Sequence, residues 1–131
     1  MDITVDASAI IAVIVNETSK PAIISATYQA DLVAPSSIYW EIGNAFSAML
    51  KRKRLTVEKA IKAIEIYNQI PIRFVTVELT ESIQLAAKLN IYAYDAYLIR
   101  CAQKYKTPLL SLDKQLLNAA RTLDVDVIEV S

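Results

Sequence analysis

The chain has 131 residues, 54% of them hydrophobic and 21% charged, which places it among globular proteins with one domain and one substantial core and sets it apart from disordered ones. Fourteen lysines and arginines cancel fourteen aspartates and glutamates, so overall charge exerts no pull on nucleic acid or anionic membrane, and electrostatic recognition has to be local. With no histidine and one cysteine, Cys101, the chain excludes Ser-His-Asp hydrolysis, histidine-ligated metals, internal disulfides and cysteine-rich zinc sites; what remains is carboxylate chemistry, which suits hard, oxygen-preferring cations.

Ile3-Thr4-Val5 is a short apolar run that stops on Asp6 and passes through Ala7-Ser8 into the apolar stretch Ala9 to Ile14. This predicts a buried strand followed within a residue or two by a helix, with Asp6 at the carboxyl edge of a sheet, where open α/β folds bind their ligands. Asn16 to Lys20 is a polar turn, Pro21 is placed to open a helix over Ala22 to Gln29, and Asp31 to Pro35 reads as a second strand closed by proline. Ser36 or Ser37 caps a long third helix, in which Ile38, Ile42, Ala45, Phe46, Met49 and Leu50 form one apolar stripe with Glu41 and Asn44 off it. Lys51-Arg52-Lys53-Arg54 closes that helix, Thr56 caps the next, and Pro71 stops it before the strand Ile72 to Val77.

A helix over Thr80 to Leu89 ends on Asn90 as a left-handed C-cap, and Asp95 starts another that runs through Lys104. Thr107-Pro108 breaks it; Leu109 to Ser111 is a strand, Asp113 starts a helix to about Leu123, and Val125 to Val130 is the last strand. Strands alternating with helices imply βαβ units and an α/β fold with a mostly parallel sheet. The only glycine, Gly43, falls inside the third helix at a cost of about 1 kcal/mol relative to alanine; close helix packing or the neighbouring Glu41 would account for it. Without a glycine-rich loop, phosphate cradles of the P-loop and Rossmann kind are excluded. No apolar run approaches membrane-spanning length and no signal-peptide pattern opens the chain, so no membrane is expected and the cytoplasm is the default.

The candidate site is a set of four acids. Asp6 and Asp113 each follow a strand, and in a parallel sheet all strand carboxyl ends share one edge; the helices entered there carry Glu41 and Asp95. Each acid near a helix start also reads as a cap or a partner of the helix dipole, a reading that explains Glu41 least because it lies several residues past any cap. Taken together they make a different case, since two like charges about 4 Å apart cost roughly 4 kcal/mol at an effective dielectric near 20. A divalent cation removes that penalty.

Val5-Asp6-Ala7-Ser8, Trp40-Glu41-Ile42-Gly43-Asn44, Tyr94-Asp95-Ala96-Tyr97-Leu98 and Pro108-Leu109-Leu110-Ser111-Leu112-Asp113, in this order and spacing, resemble the motifs of PIN-domain nucleases, and among them the small VapC-type toxins. The resemblance spans essentially the whole chain. It implies a three-layer α/β/α sandwich in which Asp6, Glu41, Asp95 and Asp113 hold one or two Mg²⁺ or Mn²⁺ ions and cleave RNA, with Ser8 and Ser111 as hydroxyl partners and Asn44 as support. It also implies an antitoxin as partner, and so apolar a chain keeps a patch for a second copy of itself, giving a homodimer. One departure is Leu123-Asp124 where many members carry a glycine before the last strand.

Asp6 and Asp95 are the strongest direct ligands, Asp113 reaches the ion directly or through water, and Glu41 either ligates or takes a proton from water. Cys101 reads as a core thiol. Lys51 to Arg54 reads more simply as a solvated helix end than as a phosphate track, and Tyr39, Trp40, Tyr92, Tyr94 and Tyr97 as core or interface rather than base-stacking groups. Arg100 and Lys114 are near the acids in sequence and either offset their charge or hold substrate. Two other readings are weighed: a catalytically silent PIN-like module that binds RNA or protein, and a receiver-type signalling domain. The receiver needs adjacent acids after the first strand and a lysine after a late one, whereas Ala7 follows Asp6 and Lys106 precedes its strand.

Overall fold

The computed structural model describes residues 1–130. In chain order the elements are β1 (Asp2–Val5), α1 (Ala7–Ile14), α2 (Lys20–Ala26), β2 (Asp31–Pro35), α3 (Ile38–Lys51), α4 (Val57–Tyr67), β3 (Ile72–Val75), α5 (Leu79–Leu89), α6 (Ala93–Tyr105), β4 (Leu109–Ser111), α7 (Lys114–Arg121) and β5 (Val127–Glu129). The five strands form one sheet in the order β3-β2-β1-β4-β5, and every pairing is parallel. Helices cover both faces, giving the α/β/α architecture.

Alternation along β1 divides it between the two faces. Ile3 and Val5 join the main apolar cluster with Ala9, Ile10 and Ile42, while Thr4 turns to α6, its Oγ1 lying 2.6 Å from Thr107 Oγ1 and 3.5 Å from Cys101 Sγ. Cys101 is fully buried, burial pushes its thiol pKa up, and it serves as core. On one side α1 packs against α2, α3 and α4; on the other α6 packs against β1, β2, β4 and α5.

Order matters more than count here. Chain direction along the sheet reverses between β1 and β4, so the crevice at their carboxyl ends is the topological switch point where open α/β sheets place ligands. A receiver domain has strand order 2-1-3-4-5, and β3 at the edge beyond β2 rules that reading out.

Several boundaries differ from those expected. The second helix begins at Lys20 and stops at Ala26, with Pro21 inside its first turn, and β3 and β5 are shorter than the apolar runs around them. Helix α6 starts at Ala93 on a Tyr92 cap, so Asp95 lies within its first turn and does not open it. Neither serine caps α3 through its side chain: Ser36 Oγ donates to the Val75 carbonyl at 3.3 Å, and the Ser37 hydroxyl is buried without a partner.

The expected explanations for Gly43 fail, because a Cβ built there would meet nothing within 4 Å. The turns are instead closed by six non-glycine residues with positive φ, Asn16, Gln29, Lys53, Asn90, Lys106 and Asp124, of which Asn90 is the expected C-cap. Left-handed backbone costs a side-chain-bearing residue roughly 1 kcal/mol or more. Gly43→Ala and Lys106→Gly are therefore each expected to stabilise the fold by about 1 kcal/mol. A higher urea midpoint at unchanged denaturant slope is the measurement that checks both.

Candidate active site

The four acids lie at the ends of β1 and β4 and at the starts of α1, α3, α6 and α7. The Asp6 amide donates to the Leu110 carbonyl at 3.3 Å, so the ends of β1 and β4 are pinned together just where both chains leave the sheet. Asp6 is 5% exposed and its carboxylate accepts from three donor groups. Oδ1 accepts from the Ala9 amide at 3.0 Å, as the N-cap of α1, and from Ser8 Oγ at 2.8 Å. Oδ2 accepts from Ser8 Oγ at 2.9 Å and from Ser111 Oγ at 2.5 Å.

Both serines expected beside Asp6 are there, each held in turn by backbone. Leu112 N donates to Ser8 Oγ at 3.1 Å, and Asp113 N to Ser111 Oγ at 2.9 Å. These two amides were not foreseen. The only trace of them in the sequence is the shortness of Ser111-Leu112-Asp113, which leaves no residue free to form an ordinary loop.

Asp113 caps α7, its Oδ1 accepting from Gln115 N at 2.9 Å and Leu116 N at 3.3 Å, and the residue is exposed. Its capping role is real, and it still presents charge to the crevice: Asp113 raises the pKa of both Asp6 and Asp95. Asp95, in the first turn of α6, is raised first by burial and then by Asp113 and Asp6.

Glu41, in the first turn of α3, is pushed up to about 7 by burial, with Asp6 and Asp95 adding to the shift. Its Oε2 is buried and has no hydrogen-bond partner. For Asp6, too, burial raises the pKa, working against the hydrogen bonds from Ser111, Ala9 and Ser8, which lower it. Asp6 and Asp95 thus act on Glu41, and Asp113 acts on Asp6 and Asp95.

No lysine or arginine relieves them. The ion pairs among the described residues are Arg73–Asp2, Arg100–Glu78, Lys104–Glu78 and Arg121–Glu129, none of which involves the four acids. Arg100, near the acids in sequence, is instead committed to Glu78 at 3.0 Å, and Lys114 is exposed without an ion pair. Asn44 is exposed, and no hydrogen bond ties its side chain to the acids among the described residues. Tyr39, Trp40, Tyr92 and Tyr94 are exposed as well, so of the expected core or interface roles, core packing does not hold for them.

Among the described residues, no three acid, histidine or cysteine side chains stand close enough together, as they lie, to hold a metal ion. The donor chemistry nevertheless fits one. All the donors are oxygens, their charges raise one another's pKa, and one buried carboxylate oxygen lacks any protein partner. An acid left this way needs a proton or a cation.

The family model described as PIN domain matches residues 3–122. Among curated proteins nothing matches. Among solved structures, PAE2754 from Pyrobaculum aerophilum is 20% identical with a TM-score of 0.72, over 98% of this chain and 89% of that one. VapBC2 from Rickettsia felis, solved bound to a DNA fragment from the promoter, is 11% identical with a TM-score of 0.73, over the full length of both chains. VapC20 from Mycobacterium tuberculosis, described as a Sarcin-Ricin loop cleaving toxin, is 16% identical with a TM-score of 0.64, over 89% of this chain and 94% of that one. At these identities the likeness is one of fold.

Proposed function

Because the chain belongs to the PIN domain family, we propose that it is a metal-dependent endoribonuclease, the toxin of a type II toxin-antitoxin pair acting in the cytoplasm. One observation carries this reading: Glu41 Oε2 is buried without a partner, its carboxyl raised to about 7 by burial and by the charges of Asp6 and Asp95, while no cationic side chain pairs with any of the four acids. A fold has no use for that arrangement, since several carboxylates facing one another are a standing cost unless a cation or a proton joins them.

Asp6, Asp95, Asp113 and Glu41 would hold Mg²⁺ or Mn²⁺, Asp6 and Asp95 directly and Asp113 directly or through water. When bound, such an ion supplies Lewis acidity and neutralises phosphate charge. The chain's own residues do the rest. Ser8 and Ser111 fix both oxygens of Asp6, so its carboxylate has one orientation. Glu41, with a pKa near 7 and a free oxygen, is suited either to join the ligands or to take the proton of the attacking water. With net charge zero, the protein meets RNA locally at this crevice and not through a broad basic face.

Exposed Trp40, Ile61 and Tyr92 support a protein partner, an antitoxin or a second copy. No helix among the described residues is long and apolar enough to cross a membrane. The test is single-turnover cleavage of structured RNAs with Mg²⁺ or Mn²⁺, with and without chelator. Cleavage that requires the metal is the expected result; RNA left intact under every metal, with binding retained, would make the chain a silent binding module.

A further inference from the structure

Beside the acids, at the carboxyl ends of β2 and β3, lies a cleft of about 240 Å³. Pro35, Val75, Val77 and Leu79 give it apolar walls, Tyr97 of α6 contributes a ring, and Ser37, whose hydroxyl is buried without a partner, also lines it. None of its lining residues carries a charge. It adjoins the acidic edge: β2, which ends at Pro35, pairs with β1, whose end carries Asp6, and the Ser37 carbonyl accepts from the Glu41 amide at 3.1 Å.

We propose that this cleft receives one nucleobase of the RNA strand adjacent to the cut, a subsite that rests on the ribonuclease reading above. Four residues of helix rise span about 6 Å, while stacked nucleotides are spaced about 3.4 Å apart along a strand. A phosphate at the acids therefore brings a neighbouring base within reach of Ser37. The uncharged walls disfavour a phosphate and suit a flat, neutral ring, and Tyr97 offers a stacking partner. A chain with fourteen charges of each sign lacks the general phosphate attraction on which most RNA binders draw, which leaves base contacts to supply affinity.

The test has a cross-linking arm and a cleavage arm. In the first, a random single-stranded RNA pool containing 5-iodouridine is irradiated with the Asp6→Asn chain in Mg²⁺, and the cross-linked tryptic peptides are mapped. Resolved to single residues, cross-links at Pro35, Val77, Leu79 or Tyr97 are expected; cross-links confined to residues outside the cleft lining overturn the proposal.

In the second arm, the products of the same pool without iodine are sequenced after cleavage by the native chain, Val77→Trp and Tyr97→Leu. The native chain should show a base preference at one position beside the cut. Filling the cleft or removing its ring should flatten that preference and slow cleavage about tenfold, with metal dependence unchanged. If Val77→Trp does not fold, Tyr97→Leu decides. Variants that cleave with native rate and preference overturn the proposal, as do variants that cleave normally but no longer bind the protein partner. A native chain that cuts nothing in any metal, yet cross-links through these peptides, refutes the nuclease reading and leaves the base cleft standing.

Discussion

Asp6→Asn is expected to leave the protein folded and to lower RNA cleavage on the order of 10²- to 10⁴-fold. The rate loss follows from what the carboxylate would supply: a metal-held charge contributes several kcal/mol of transition-state stabilisation, and about 1.4 kcal/mol is a factor of ten. The fold survives because asparagine is among the best N-caps: its carbonyl still accepts from the Ala9 amide and the Ser8 hydroxyl, while its amide nitrogen replaces the oxygen that accepted from Ser111 and donates to that hydroxyl instead. Burial penalises the native charge, so the variant should unfold at the same urea concentration as the native chain or a higher one. Asp6→Ala separates the two roles, since it also removes the cap at about 1 kcal/mol and leaves two hydroxyls without their acceptor. Glu78→Gln is the control. Its carboxylate is held well below the usual range, to about 2, mainly by Lys104, and it belongs to the α5–α6 ion network, so cleavage should be unchanged. Native rates in Asp6→Asn would end the nuclease reading.

The parts of the site that the sequence discloses are those fixed by strand direction. Asp6 and the Ser111 to Asp113 turn follow strands, all strands here are parallel, and so these residues had to share an edge. Which two strands lie side by side was not legible, because neighbours in a sheet are chosen by packing between distant segments. The pairing of β1 with β4, from opposite ends of the chain, is what sets Asp6 against Ser111. Helix starts were less legible for a similar reason: Tyr92 and Ser37 begin helices without a side-chain cap bond, so the polar-residue signal pointed two residues late for α6 and to the wrong role for the serines of α3. Arg100 shows the limit most plainly. Five residues from Asp95 in sequence, it is drawn to Glu78, twenty-two residues away, because an α6 residue faces α5 as readily as it faces the crevice.

The stability of the metal-free protein should fall as pH rises through the acid-to-neutral range, and Mg²⁺ or Mn²⁺ should restore it at the upper end. Glu41 binds its proton more tightly in the folded protein, where its pKa is about 7, than in the unfolded chain at 4.5. Between those values the folded state holds more protons, so the stability contributed by the shift is complete below about 4.5 and is lost as pH passes through about 7. Asp6 and Asp95 are shifted the same way and deepen the fall. For Glu41 alone the loss is on the order of 1 to 2 kcal/mol once its partial exposure to solvent is discounted. A cation competes with protons for the same oxygens, so its stabilisation grows with pH, and at a hundred times its dissociation constant it adds about 2.7 kcal/mol. Urea midpoints measured from pH 5 to 8, with chelator and then with Mn²⁺, check both halves. Glu41→Gln should flatten the chelator series, because the amide has no proton to lose. A midpoint that climbs through this range, indifferent to millimolar Mn²⁺ and to Glu41→Gln, would mean that these carboxylates are not joined by a common charge and that the crevice is no place for a cation.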